Sequence, residues 1–153
     1  LEGRNVIVAR TFSKVYGLAG MRLGYAIAPK PLIDRMRPHT TGSINALVKW
    51  AGAAALKDVA AMERVVSVTR ALRKQTTAQL EKMGYEVLPS ETNFFMVNLR
   101  REVRPVIEAF RERGILVGRP FPPMTRYLRV SVGTAEEMQR FLDAFPAVMA
   151  HSA

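Results

Sequence analysis

The sequence predicts mixed α and β structure in two units: an α/β piece over residues 1–57, and an α+β piece over residues 58–153 whose strands and two helices form a small sandwich-like layer. Three features lead to that reading. Short apolar runs alternate with glycine-rich and helical stretches in the first third of the chain. A long helical pattern from Val59 to Met83 follows. Beyond it, strand-like runs are interleaved with two segments whose apolar residues recur at helical spacing. A content of 48% hydrophobic and 24% charged residues is that of a packed globular protein.

Asn5 to Arg10 reads as a short strand, bounded by Gly3 and followed by a loop punctuated by Gly17, Gly20 and Gly24. Leu23 to Ala28 resumes strand character until Pro29 stops it, and Pro31 is suited to the first turn of a helix reaching about Arg37. The turn-prone Thr40-Thr41-Gly42-Ser43 precedes a helix with Ile44, Leu47, Val48, Ala51 and Leu56 at helical spacing, on which Trp50 packs or meets an interface. The long helix then stops at Gly84, a residue suited to the left-handed turn that ends helices.

Tyr85 to Leu88 is a strand, Pro89-Ser90 a turn, and Asn93 to Leu99 a strand whose Phe94-Phe95-Met96-Val97 centre suggests burial on both faces. Val103, Val106, Ile107 and Phe110 make one helical stripe, with Pro105 in its first turn and Gly114 at its end. A short strand at Ile115 to Val117 and a proline-rich loop from Arg119 to Pro123 follow. Tyr127 to Val132 alternates, placing Leu128, Val130 and Val132 on one face and Arg129 and Ser131 on the other. The last helix opens with a Thr134/Glu137 capping box and buries Met138, Phe141, Leu142 and Phe145 until Pro146 interrupts it.

The net charge of +10 raises nucleic acid as a partner. The basic residues are scattered, without a Lys/Arg block or regularly spaced stacking aromatics, so a solvated surface is the expectation and a nucleic-acid partner is not. A more acidic missing portion would also explain the imbalance: Leu1 is not a methionine, and the apolar run Val6 to Ala9 begins as if the fold were already under way. No apolar run approaches the roughly 20 residues of a membrane span. The absence of cysteine suits a reducing cytoplasm, and His39 and His151 lack companions at metal-ligand spacing, so neither a membrane nor a metal is expected.

Thr11-Phe12-Ser13-Lys14 follows directly on the first apolar strand, where side chains at a strand's carboxyl end reach ligands in α/β folds. A lysine there can condense with an aldehyde if desolvation or a neighbouring cation, Arg10 or Arg22, favours its neutral form. Arg22, returning past the glycine-bearing loop, is suited to clamp a phosphate, with Thr11 and Ser13 adding hydroxyl donors. A solvated surface charge is the alternative for any single lysine.

The segment from Thr11 to Tyr25, with its hydroxyls, lysine, glycines and arginine in register, resembles the cofactor-lysine signature of class I and II aminotransferases, close to the histidinol-phosphate group. Ser43-Ile44-Asn45-Ala46, Thr92-Asn93-Phe94 and Tyr127-Leu128-Arg129-Val130 extend the resemblance along the chain. It implies the carboxy-terminal part of a fold type I pyridoxal-phosphate-dependent transferase: the remainder of a large mixed-sheet domain over residues 1–57, then a connecting helix and an α+β small domain over residues 58–153. It also implies pyridoxal 5'-phosphate held by Thr11, Ser13 and Arg22 and joined to Lys14 as a Schiff base, with Lys14 shuttling the substrate proton. Arg129 would hold a substrate carboxylate or be a surface charge of an edge strand; Asn93 would lie near the substrate or cap a turn.

The implied reaction moves an amino group between an amino acid, histidinol phosphate or an aromatic amino acid among the candidates, and a 2-oxo acid, in a cytoplasmic homodimer. A decarboxylase or lyase of the same fold and a non-catalytic basic fragment are the alternatives. The family's glycine-rich cofactor loop, ring-stacking aromatic and pyridine-pairing aspartate normally lie upstream of the lysine, so the isolated polypeptide is expected not to transaminate. Arg119 and Arg126 are either surface charges or contacts for a second acidic group of the substrate.

Overall fold

A computed structural model describes residues 4–40 and 42–151, the last only as helical backbone. Gly3, Thr41 and the His151 side chain, each invoked in the sequence reading, lie outside the described residues. The chain divides into two compact units, Leu1–Val66 and Ser67–Ala153.

The first unit holds strands β1 (Val8–Thr11) and β2 (Gly24–Ile27), helices α1 (Lys30–Met36) and α2 (Ala46–Lys57), and the start of α3 (Val59–Lys82). The strands form an antiparallel ribbon in the register Val8↔Ile27 to Thr11↔Gly24. The first strand thus starts later than Asn5 and ends at Thr11, because continuing the ladder toward Asn5 would bring it to Pro29, which has no N–H to donate. Pro31 sits in the first turn of α1, as its fixed φ requires. The α2 helix is capped by Asn45, whose side chain accepts from the Leu47 amide at 2.9 Å. The helix forms as expected, but Ile44 lies before it and is exposed, and the rest of the expected apolar stripe is only partly covered: Trp50 is 71% exposed and Leu47 78%.

The second unit contains the rest of α3, strands β3 (Glu86–Leu88), β4 (Phe94–Asn98) and β5 (Tyr127–Ser131), and helices α4 (Val103–Glu112) and α5 (Ala135–His151). The strands form one antiparallel sheet in the order β3-β4-β5. The α3 helix ends where Gly84 takes φ +86°, allowing Tyr85 N to reach Leu80 O and Gly84 N to reach Glu81 O. This paired closure satisfies the last carbonyls and turns the chain directly into β3.

The core gathers Phe95 and Val97 of β4, Leu128 and Val130 of β5, and the α4 stripe Val103, Val106, Ile107 and Phe110 with the α5 residues Phe141 and Phe145. Phe110 stacks on Phe141 with centroids 5.2 Å apart, and Tyr85 meets Phe145 edge-on at 4.9 Å. The capping box at the head of α5 is reciprocal: Thr134 N donates to Glu137 Oε2 at 2.7 Å and Glu137 N to Thr134 Oγ1 at 3.2 Å.

Two expectations are corrected here. Ile115 to Val117 forms no strand: the segment's link to the sheet is a single bond, Gly118 N to Arg129 O, and not a ladder. Helix α5 runs through Pro146 instead of ending there. Val148 and Met149, beyond the proline, are buried in the core, and Arg101 Nη1 donates to the Met149 carbonyl. Burial there outweighs the roughly 3 kcal/mol that an interior proline costs a helix. Among the described residues no helix is long and apolar enough to cross a membrane.

Truncating Phe110 to alanine should lower the unfolding free energy by about 3–5 kcal/mol, and Thr134→Ala by about 1 kcal/mol. Urea denaturation of the two variants checks the ranking, and equal losses would contradict the placement of the core.

Candidate functional site

The hairpin loop between β1 and β2 is built around Phe12, which is 3% exposed and lies against Tyr16 and Tyr25 with ring centroids 5.0 and 5.8 Å away. Helix α2 comes so close at Gly52 that a Cβ there would run into the Leu23 side chain. With Phe12 anchored, its neighbours Thr11 and Lys14 are exposed and Ser13 is partly so. The Thr11 hydroxyl donates to Ser13 Oγ at 2.9 Å and accepts from the Ser13 amide at 3.1 Å, a local turn that sets the two hydroxyls side by side. Gly17 N closes on Lys14 O at 2.9 Å, and Leu18 N on Phe12 O at 3.0 Å.

Arg22 returns to this end of the ribbon because Phe12 N bonds Leu23 O, one step beyond the Thr11↔Gly24 pair. Its backbone is left-handed, φ 53° and ψ 47°, where a side chain is disfavoured by about 1–2 kcal/mol. The guanidinium is exposed, with Nη1 donating to Ala19 O at 2.8 Å. The two hydroxyls touch each other, while the Arg22 guanidinium is engaged with Ala19 O and Lys14 shares only the backbone turn with them.

Arg129 and Asn93 lie in the second unit. In the sheet Arg129 pairs with Met96 and Ser131 with Phe94, so Phe94, Met96, Arg129 and Ser131 share the face opposite Phe95, Val97, Leu128 and Val130. The Arg129 guanidinium carbon lies 4.3 Å from the centre of the Phe94 ring, and its Nε is buried without a hydrogen-bond partner. Gly118 lies close against its stem: a Cβ there would be 2.7 Å from the Arg129 carbonyl oxygen and 2.9 Å from its Cβ. Asn93 is exposed at the entry to β4, where its carbonyl accepts from Val132 N at 2.9 Å. Its side chain does not cap the turn; the hydroxyls of Ser90 and Thr92 do, both donating to Phe94 O, at 2.5 and 3.0 Å.

Thr11, Ser13, Lys14 and Arg22 thus stand on the turn at one end of the hairpin, whereas Arg129 stands at the middle of β5 opposite Met96 and Asn93 precedes β4 opposite Val132, so the sheet does not bring these last two together. The sequence reading took Phe94 only as part of a strand buried on both faces and gave it no contact with Arg129, and it passed over Arg73, which grips the turn before β4 through Thr92 O at 2.6 Å and Glu91 Oε2 at 3.0 Å. The signal for Phe94 was its odd-even offset from Phe95, which puts the two rings on opposite faces of one strand. Among the described residues no group of His, Cys, Asp and Glu is placed to hold a metal.

Residues 1–145 match the family of class I and II aminotransferases, and the chain belongs to that family. Within it, the chain is 40% identical over 148 residues to the histidinol-phosphate aminotransferase of Symbiobacterium thermophilum, an alignment covering 95% of this chain and 41% of that enzyme. Among solved structures it is similar to a putative histidinol-phosphate aminotransferase from Erwinia carotovora atroseptica, with 32% identity and a TM-score of 0.91 over 99% of this chain and 44% of that one. It is also similar to the histidinol-phosphate aminotransferase of Sinorhizobium meliloti in complex with pyridoxal-5'-phosphate, with 29% identity and a TM-score of 0.86 over 97% of this chain and 42% of that one. The chain spans about two fifths of the length of these relatives.

Replacing Gly118 by alanine should force the backbone away from Arg129 and destabilise the protein by about 1–3 kcal/mol, as overpacking does. A melting temperature unchanged from that of the parent protein would refute the close approach.

Proposed function

We propose that this chain serves, without being sufficient alone for, the transfer of an amino group between an amino acid and a 2-oxo acid with pyridoxal 5'-phosphate as cofactor, in an enzyme that works as a homodimer in the cytoplasm. Membership of the aminotransferase family supports this, as do the activity named for its relatives and the cofactor named in the Sinorhizobium complex. The observation that carries it is the hairpin end, where Thr11, Ser13, Lys14 and Arg22 supply the donors and the amine that this cofactor requires. In this reading residues 1–57 complete the cofactor-binding large domain, and residues 58–153 are the connecting helix and small domain.

Thr11, Ser13 and Arg22 would grip the phosphate, and Lys14 Nζ would hold the aldehyde carbon until the substrate's amine takes its place there and frees the lysine amine. When bound, the cofactor supplies an electron sink for the bonds of the substrate α-carbon. Lys14 Nζ holds and moves the α-carbon proton, as base and then as acid. Arg129 takes the substrate's oxyanion, a carboxylate in an amino or oxo acid or the phosphate ester of histidinol phosphate, through the two parallel N–H groups of its guanidinium. Asn93 adds a polar contact near the same oxyanion.

Borohydride treatment of the holoenzyme should fix the cofactor to the peptide containing Lys14, and Lys14→Ala should abolish that adduct and lower kcat at least about 100-fold. Oxo-acid formation from an amino acid supports the proposal. Carbon dioxide release with the amine retained would replace it with a decarboxylase of the same fold, and a failure to bind the cofactor at all would leave a binding fragment.

Arg22 allows a separate test. Arg22→Gly relieves the left-handed backbone and should raise the stability of the apoprotein by about 1 kcal/mol. The same change should weaken cofactor binding by roughly 10- to 100-fold, because a charge-assisted contact to the phosphate is lost. Cofactor titration and thermal melting of the same variant read the two effects, and unchanged affinity would remove Arg22 from the phosphate site.

A further inference from the structure

We propose that Phe94 is a positioning residue for Arg129: its ring face holds the guanidinium in place without consuming hydrogen-bond donors, so that the donors stay available for the substrate oxyanion. The inference rests on the reading of Arg129 as the oxyanion-binding residue. A partly buried arginine ordinarily satisfies its N–H groups with carboxylates or carbonyls. Arg129 does not, since its Nε is buried without an acceptor and its guanidinium carbon lies 4.3 Å from the centre of the Phe94 ring.

The sheet register dictates this contact. Phe94 pairs with Ser131 and Arg129 with Met96, so the two residues are diagonal neighbours on one face, within reach for an aromatic ring and a long side chain. The ring's negative face attracts the cation, and stacking leaves the in-plane N–H groups of the two terminal nitrogens, as distinct from the buried Nε, uncommitted at the guanidinium edge. On the same face the carboxylate of Glu86 is engaged by Asn98 Nδ2 at 2.8 Å, within β3 and β4.

The support beneath the ring is stiff. The Phe94 carbonyl accepts from Ser90 and Thr92, and its amide donates to Thr92 Oγ1 at 3.3 Å. Arg73, reaching from α3, fixes the preceding turn through Thr92 O and Glu91. Beside Arg129, the Gly118 backbone lies close enough that a Cβ there would be 3.1 Å from the arginine Cγ. Ring, turn and glycine together hold the arginine by packing.

The test uses the holoenzyme carrying Phe94→Leu, Phe94→Tyr or Arg129→Lys, with maleate as an unreactive dicarboxylate probe and 2-oxoglutarate as substrate. Phe94→Leu should weaken maleate binding and raise the KM for 2-oxoglutarate by roughly fivefold to twentyfold while kcat changes less than about twofold. Phe94→Tyr, which keeps the ring face, should retain the parent values. In an Arg129→Lys background Phe94→Leu should add little. If Arg129→Lys leaves maleate binding unchanged, the reading of Arg129 itself fails. If Arg129→Lys weakens binding but Phe94→Leu does not, or if Phe94→Tyr is as impaired as Phe94→Leu, the positioning role is overturned. Phe94→Met repeats the measurement should the leucine variant not fold.

Discussion

Burial of one face of the β4–β5 pair is the constraint on which the second unit depends. Phe95, Val97, Leu128 and Val130 point into a core closed by α4 and α5, and a strand's pleat then sends Phe94, Met96, Arg129 and Ser131 to the other side. Slipping the register by one residue would expose four core side chains and bury a guanidinium, so the apolar core specifies where the arginine lies. A charged residue whose placement is decided by its apolar neighbours needs no ion pair to hold it, and Arg129 has none among the described residues.

The first unit solves a different problem. Its ribbon is short and most of its large apolar residues are exposed, so the loop between its strands is organised by one anchor, Phe12, and by local bonds. Side-chain hydroxyls and turn amides set the geometry from Thr11 to Leu18, and the left-handed backbone of Arg22 is tolerated because the chain must turn back into β2 there. Strain at a non-glycine residue is retained where the side chain serves a purpose that glycine cannot.

Much of this organisation was legible from residue order alone. Alternation in Tyr127 to Val132 reported the two faces of β5, the Thr134/Glu137 spacing reported a reciprocal cap, and the stripe Val103, Val106, Ile107 and Phe110 is buried as its period implies. Errors arose where tertiary contacts override local preference. Pro146 carries a helix-breaking signal, yet Val148 and Met149 beyond it are core residues, and burial is a property of the partner surface that no local pattern reports. Ile115 to Val117 has strand composition, but among the described residues the chain meets β5 only beyond it, through Gly118 N to Arg129 O, so no ladder forms. The adjacent phenylalanines of β4 look alike in sequence; only pairing with β5 shows that one is core and the other lies under a guanidinium.

The two candidate anion sites differ in a way that matches the chemistry proposed for them. A tightly held cofactor phosphate favours many fixed donors, and the hairpin offers hydroxyls and a guanidinium on a backbone bent to present them. A substrate must arrive and leave in every turnover, so its oxyanion is better met by one group whose position is set in advance and whose donors are unspent. Arg129 has that character: it is held by a ring face and a glycine, which fix its position without competing for the ligand. Hydrogen-bonding it to a protein carboxylate would also have positioned it, but each exchange with substrate would then require breaking a charge-assisted pair, which opposes binding by roughly 1.5–3 kcal/mol. Holding the cation against an aromatic face avoids that competition, and it makes the identity of the residue at position 94 a matter of ligand affinity as well as of packing.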